Sequence, residues 1–477
     1  MRRALLVAFH YPPATAIGAR RAVRFAKHLP AHGYEVAVLA ADPGSEVGCR
    51  VDPAARGPDG VPVYHAPASD RVKTLRARIG GRGAADRRGS TPLPSASTDG
   101  GGGEAARSSA ARSLLSPLTQ GFKDVVTDLL RLPDASAGWL RPAREAARRA
   151  IAERRPDVVI ATAPPWTALV VGALAARDAG VPFVADLRDP WVGNPYSRPV
   201  TRVGRALAPL VERWCLRQAG IVIANTGRLR EHVLGRYPDM AERVIVVPNG
   251  PDDERSPATG AGSGAAPGYD GARGEGPLKV VHTGTLYGGR DPRVIFAAVK
   301  RLLDRGEIRP DELAIDLVGP LEVPGIDTAA VRADTLGIVE FVPPVSQAEA
   351  QRIARAADVL LLFQPGAPLQ LPAKVFEYLG AGREVLTIAG PGATADFARS
   401  EALGPVAGPD APEEIAAALL ELVRRKRAGQ LRRPVAEAIE RYRPERLAGQ
   451  LARAIDGLLG APAQLPAAEE PPRALAA

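Results

Sequence analysis

The chain has 477 residues, 45% of them hydrophobic and 24% charged. That is the balance of a soluble globular protein of two or three domains, and it excludes a fibrous, wholly disordered or membrane-embedded chain. The net charge of +9 points to an anionic partner: nucleic acid, a membrane surface or an anionic substrate. Basic and aromatic residues are not interleaved as base stacking requires, so nucleic acid is not expected. Cys49 and Cys215 make neither a disulfide framework nor a metal site, which points to a reducing compartment.

Residues 4–9 read as a buried strand, and the loop HYPPATAIGAR leads to a helix ending near Leu29. A second strand follows in YEVAVLAA. This β-loop-α-β unit begins a doubly wound parallel sheet. Gly18 stands where backbone must approach a ligand or bend tightly. The loop lacks the pattern G-x-G-x-x-G, which counts against a nicotinamide enzyme. Residues 61–65 read as another strand, and residues 80–113, rich in Gly, Ser, Ala and Arg, as a disordered insertion. Helices are expected over 114–132 and 139–154. The uncharged run 158–176 nearly reaches membrane-span length, but Pro164 and Pro165 divide it into strand, turn and helix. VPFVADLRDPW is a strand closing on Asp186, Arg188 and Asp189. That cluster is either an internal ion pair or a polar group facing a sugar. A helix over 202–218, a strand in GIVIANT and a short strand over 243–247 complete the first half.

A second Gly-Ala-Ser-Pro tract, 256–276, reads as a flexible insertion beside a domain boundary. A new α/β unit starts at Leu278 with LKVVHTGTLYGGRDPRVIF. Gly284, Gly288 and Gly289 let backbone come close to a ligand, Arg290 precedes a helix start suited to phosphate, and Asp291 caps that helix with Pro292 in its first position. LAIDLVG, IVEFVPPV and DVLLLF are further strands, and Ser346 with Glu349 forms a capping box. In LQLPAKVFEYLGAGREVLTIAGPG, Pro372 opens a helix that Gly380 and Gly382 end, before a strand over 385–388. The helix start presents unpaired N–H groups and a positive dipole end. Lys374 adds a full charge, and Glu377, one turn on, can accept from two ribose hydroxyls. The bland alternative is a solvated amphipathic helix. Helices over 413–427 and 444–459 close the fold.

With YPP…G, VADLRDPW, VPNG, HTGTLY and LPAKVFEYLGAG in that order, the chain resembles the retaining GT-B glycosyltransferases of family 4, in the branch that builds bacterial polysaccharides. The resemblance covers residues 4–459 outside the two insertions. It implies an α/β GT-B fold, two Rossmann-like doubly wound parallel-sheet domains facing across a cleft. The expected domains are 1–250 on the acceptor side, a linker over 251–277, a nucleotide-sugar domain over 278–440, a helix over 441–460 packing back on the first domain, and a loose tail over 461–477.

The resemblance further implies that Glu377 holds the ribose and that Lys374, Arg290, Gly284 and Thr285 hold the donor diphosphate. Gly18 lets the first loop approach it, and Asp186 or Asp189 falls where the family often has a catalytic His. The first Glu of the family's E-x7-E motif is replaced by Leu369, and the usual Arg after the glycine loop by Thr285. The expected activity is hexosyl transfer from a UDP- or GDP-sugar to a glycan, lipid-linked or small-molecule acceptor. No metal and no cofactor are expected, and the protein is placed in the cytoplasm with peripheral contact at the inner membrane face. A non-catalytic nucleotide-sugar binder and a sugar-nucleotide epimerase are the alternatives.

Overall fold

A computed structural model describes residues 1–45, 51–73, 123–195, 197, 199–251, 276–434 and 436–460. The two expected insertions, but for their edges, and the tail lie outside these residues, as does Cys49. By internal packing the chain divides into two units, Met1–Val222 and Ile223–Ala477.

The first sheet contains β1 (Arg2–Ala8), β2 (Tyr34–Ala41), β3 (Val63–Ala66), β4 (Val158–Ala163), β5 (Phe183–Leu187), β6 (Ile221–Ala224) and β7 (Val244–Val246). Their spatial order is β3-β2-β1-β4-β5-β6-β7. The β1–β2, β1–β4, β2–β3 and β4–β5 pairs are parallel. Helices α1 (Ala19–His28), α2 (Leu140–Arg154), α3 (Thr167–Ala179), α4 (Arg202–Gln218) and α5 (Gly227–Arg236) connect or flank these strands. The run over 158–176 is indeed strand, Pro-Pro loop and helix. Among the described residues no helix is long and apolar enough to cross a membrane.

The second sheet contains β8 (Leu278–Thr283), β9 (Leu313–Val318), β10 (Val339–Val342), β11 (Val359–Phe363), β12 (Glu384–Ile388) and β13 (Val406–Ala407), in the order β10-β9-β8-β11-β12-β13. With it come α6 (Arg293–Asp304), α7 (Thr328–Asp334), α8 (Gln347–Ala356), α9 (Ala373–Ala381), α10 (Ala393–Ser400), α11 (Pro412–Arg427), α12 (Ala436–Arg441) and α13 (Pro444–Leu458). Strand periodicity of two sends alternate side chains to opposite faces. Val280, Val359, Leu361, Phe363, Leu386 and Ile388 pack in one core with Ile295, Val299, Leu302 and Leu419 of α6 and α11. Val281, Leu360, Leu362 and Val385 pack in the other with Ile353, Phe376 and Leu379 of α8 and α9. Each such buried side chain contributes about 1.5–3 kcal/mol, so both faces need a helical cover.

Two details differ from the sequence reading. The α6 N-cap is Pro292, not Asp291; Asp291 Oδ1 still accepts from the Arg293 N–H at 3.0 Å, so the carboxylate caps from one residue further out. The Ser346 half of the capping box is present, its Oγ accepting from Glu349 N at 3.2 Å, whereas the Glu349 carboxylate turns to Arg352.

In both sheets the strand order reverses beside the first strand, between β1 and β4 and between β8 and β11. Loops leaving the carboxyl ends of the strands diverge at such a point, and that is where open α/β sheets bind ligands.

Candidate functional site

At the second reversal point, β8 ends on Thr283 and the chain turns at Gly284 with φ +131°. That backbone conformation disfavours any side chain. The space is also taken, because a Cβ there would lie 2.6 Å from Lys374 Nζ. Gly319, also at φ +131°, leaves room for the Gly284 carbonyl, which a Cβ would approach to 2.6 Å. The two glycines therefore let Lys374 lie directly against the end of β8. Lys374 is the second residue of α9, whose N-cap Pro372 offers no side-chain cap, so its ammonium adds to the positive end of the helix dipole.

Arg290 reaches across the same reversal point. Its Nη2 donates to Gln364 Oε1, just beyond β11, at 2.8 Å, and its guanidinium lies 4.9 Å from the Tyr287 ring centroid. Both partners are neutral, so they orient the cation without neutralising it. Beneath lies His282, whose Nδ1 stands 2.9 Å from the Leu361 carbonyl while its buried Nε2 has no hydrogen-bond partner. Burial lowers its pKa from 6.5 to about 4; the Leu361 bond, the next largest cause, pulls upward, and the charges of Lys374 and Arg290 add smaller downward pulls. The ring is thus neutral at neutral pH, and Nδ1 donates to Leu361.

Tyr378 Oη accepts from the Thr283 N–H at 3.1 Å and ties α9 to β8. Burial raises its pKa to about 12, so it too stays neutral. Glu377 and Thr285 are half-buried. Glu377 and Arg290 both act electrostatically on Tyr378, in opposite senses. The structure therefore brings Lys374, Arg290, Gly284, Thr285 and Glu377 to one end of the second sheet. His282, Gln364 and Tyr378 belong to the same assembly and were missed in sequence. His282 stands inside HTGTLY, but nothing local to that motif shows that it is buried under two cations.

The first-unit candidates fare differently. Asp186 is fully buried and its two oxygens accept from Arg21 Nε and Nη2, each at 2.8 Å. The catalytic role expected of it is corrected: both oxygens are engaged inside the unit, in a strut from α1 to β5. Arg188 feels the Asp186 charge but directs hydrogen bonds elsewhere. That buried guanidinium donates to the carbonyls of Ala163, Gly18 and Pro164, with burial lowering its pKa. The reason for Gly18 is corrected likewise. Its φ of −59° is ordinary, and a Cβ would meet Arg188 Nη1 at 2.9 Å, so the glycine makes room for an internal cation. Asp189 is half-buried on the loop after β5, and its charge partly offsets the burial of Arg188. His10, on the loop after β1, is held neutral by burial and then by Arg188, its pKa lowered to about 4.

Comparison with known proteins agrees with this architecture. Residues 98–250 match the family model described as a glycosyl transferase 4-like domain. No curated protein matches the chain by sequence. Among solved structures, Anabaena HepE in complex with UDP is 15% identical with a TM-score of 0.54, over 96% of this chain and 100% of that one. A structure from E. coli, titled trehalose-6-phosphate and bound with UDP-2-fluoro glucose, is 13% identical with a TM-score of 0.56, over 96% and 99%. WaaG, a glycosyltransferase involved in lipopolysaccharide biosynthesis, is 14% identical with a TM-score of 0.51, over 95% and 100%. At these identities the likeness establishes the fold: the chain has the two-domain, Rossmann-like GT-B fold.

Two outcomes follow. Asp186→Ala removes the counter-charge from buried Arg21 and is expected to cost about 3–5 kcal/mol, read from urea midpoints, whereas Arg21→Met with Asp186→Leu recovers most of that loss. For His282 the folded pKa is below the unfolded one, so the unfolded chain takes up a proton first as pH falls. Its contribution is full above its ordinary pKa of 6.5 and is lost as pH drops toward about 4. Urea titrations across that range will show a shallower acid loss in His282→Gln than in the parent protein.

Proposed function

We propose that the protein is a retaining glycosyltransferase that moves a sugar from a UDP- or GDP-sugar to a glycan, lipid-linked or small-molecule acceptor without a metal ion or other cofactor. One observation carries the reading: Lys374 and Arg290 converge at the end of β8 over a neutral imidazole, with Arg290 held by a neutral amide. Two cations and a helix N-terminus suit a diphosphate. In the reaction the bond from the anomeric carbon to the diphosphate oxygen breaks, and its electron pair stays on that oxygen. Lys374 and Arg290 stabilise the growing charge from positions fixed beforehand. The acceptor hydroxyl bonds to the anomeric carbon on the same face and passes its proton to the departing phosphate. Glu377 accepts from the ribose hydroxyls, Gly284 and Thr285 bring backbone to the phosphates, and Asp189 stays the first-unit carboxylate candidate, on the loop after β5. The UDP and UDP-sugar bound by neighbours of the same fold support the donor class. The buried free thiol of Cys215 agrees with a cytoplasmic placement.

Leu369, in place of the motif's first Glu, favours a second reading, a binder of nucleotide sugars without turnover. One experiment separates the two. The purified protein is melted against a panel of nucleotide sugars, and one donor is expected to raise Tm. Glu377→Ala weakens that donor by about 1–3 kcal/mol, and Lys374→Ala or Arg290→Ala abolishes transfer while the protein stays folded. Transfer survives EDTA and the product keeps the donor's anomeric configuration. A panel with no stabilising donor refutes both readings, binding without transfer or hydrolysis selects the second, and a requirement for Mn²⁺ removes metal independence.

A further inference from the structure

The YPP run on the loop after β1 carries a second layer of chain. Ala14 pairs antiparallel with Val51, and the Asp52 N–H donates to the Pro13 carbonyl at 3.0 Å. Asp52 closes the turn that follows: its Oδ1 accepts from Ala54 N at 2.9 Å and its carbonyl from Ala55 N at 2.9 Å. Gly57 then lies on the Tyr11 ring, where a Cβ would stand 2.9 Å from Cε1 and 3.0 Å from Oη. The two layers line an open cavity of about 430 Å³.

Its walls are apolar and stiff. Pro12, Pro13, Pro53 and Pro58 face it together with Val61 and Val63, and Val51, 44% exposed, extends the lining to the surface. Proline fixes φ, so such walls hold their shape before a ligand arrives, and little ordering is left to oppose binding. Two polar side chains interrupt them. Arg56 is exposed, and among the described residues no acidic side chain lines the cavity. Tyr11 is 1% exposed, and its buried hydroxyl has no hydrogen-bond partner. Burial pushes its pKa up to about 12, so the hydroxyl keeps its proton and is a donor without an acceptor. It lies against Gly57, a residue of the cavity wall that has no side chain to shield it.

We propose that this cavity binds a planar aromatic molecule bearing hydroxyl or carbonyl oxygens, its ring flat on the prolines and one oxygen accepting from the Tyr11 hydroxyl, and that such a molecule is the sugar acceptor. The acceptor role rests on the transferase reading; the binding does not. Aromatic faces pack well on proline rings. A cavity of about 430 Å³ lies in the range of small-ligand sites, whereas a protein partner covers about 800 Å² a side. A glycan has hydroxyls around its rim, and walls of proline and valine would take their water and leave them unpaired. Placement agrees with the role: Tyr11 follows His10 on the loop at the first reversal point, where such sheets bind ligands. In the transfer a phenol oxygen bonds to the anomeric carbon as the bond from that carbon to the diphosphate oxygen breaks, and the phenol proton leaves with the diphosphate.

The probe is 4-methylumbelliferone, a planar ring system with a carbonyl and a phenol, titrated into the full chain without donor. One saturable site is expected by fluorescence and by saturation-transfer NMR, readouts that need no variant. Tyr11→Phe weakens binding about fivefold with Tm unchanged or raised, because it also removes an unpaired buried hydroxyl. A merely structural tyrosine gives the reverse, a lower Tm with binding intact. Ala55→Trp fills the cavity and abolishes binding in a protein that still melts cooperatively. With the donor found by melting, glycosylation of the phenol extinguishes the probe's fluorescence. The proposal is overturned by a parent protein without saturable binding, or by binding that both variants leave intact. Displacement of the probe by maltotriose or farnesyl phosphate more readily than by other hydroxylated aromatics overturns it too. Variant-sensitive binding without transfer supports the site and overturns its acceptor role. Transfer to a glycan by a chain that ignores the probe overturns the site and leaves the transferase reading standing.

Discussion

The site depends on keeping two cations close together over a buried group that does not carry a charge. Lys374 can lie against the end of β8 because Gly284 has no side chain, and Gly284 can take its conformation because Gly319 makes room for its carbonyl. Arg290 is held from the side by Gln364 and Tyr287. A carboxylate in place of Gln364 would have oriented the guanidinium equally well and cancelled its charge. His282 completes the arrangement by staying neutral: a proton on its ring would be buried beneath two positive groups, and its lowered pKa expresses that penalty. In the proposed reading the site is an electrostatic well for an anion.

Much of this was legible in the sequence because it is written in local rules. Strand runs, proline and glycine punctuation and helix caps located β1 to β12 and most of the longer helices, mostly within one or two residues; α5 and α7 went unread although Thr226 and Asp327 cap them. The short elements escaped. β13 has two residues and α12 has six, too few to show a period, and their form is set by what they pack against. α10 follows Gly392 without a side-chain cap, so no polar residue announced its start. Lys374, Glu377 and Arg290 were legible as phosphate and ribose candidates from their positions at helix starts. Gln364 and Tyr378 were not, since their importance lies in partners 74 and 95 residues away. Asp186 stayed ambiguous for the same reason: its hydrogen-bonded partner is Arg21, 165 residues distant, not a neighbour in the cluster.

The two sheets also show why one fold plan does not fix one role. Both reverse their strand order beside the first strand, and in both an arginine bridges the loops at that point. In the first sheet Arg188 spends its donors on the carbonyls of Gly18, Ala163 and Pro164. A buried guanidinium satisfied by three backbone oxygens is a fastener. Removing it would loosen the loops after β1 and β4 together. In the second sheet Arg290 is only half-buried and its hydrogen bond to Gln364 uses one nitrogen. Five N–H groups in a planar fork leave capacity for a phosphate.

That contrast supports the second unit as the place of the proposed anion site. A multiply charged ligand needs cations whose own contacts leave them charged and reachable. The first reversal point has turned its cation inward and offers carbonyl-braced loops, a neutral His10 and the half-buried Asp189, a surface suited to hydroxyl groups more than to phosphates. The second has turned its cations outward over a neutral floor.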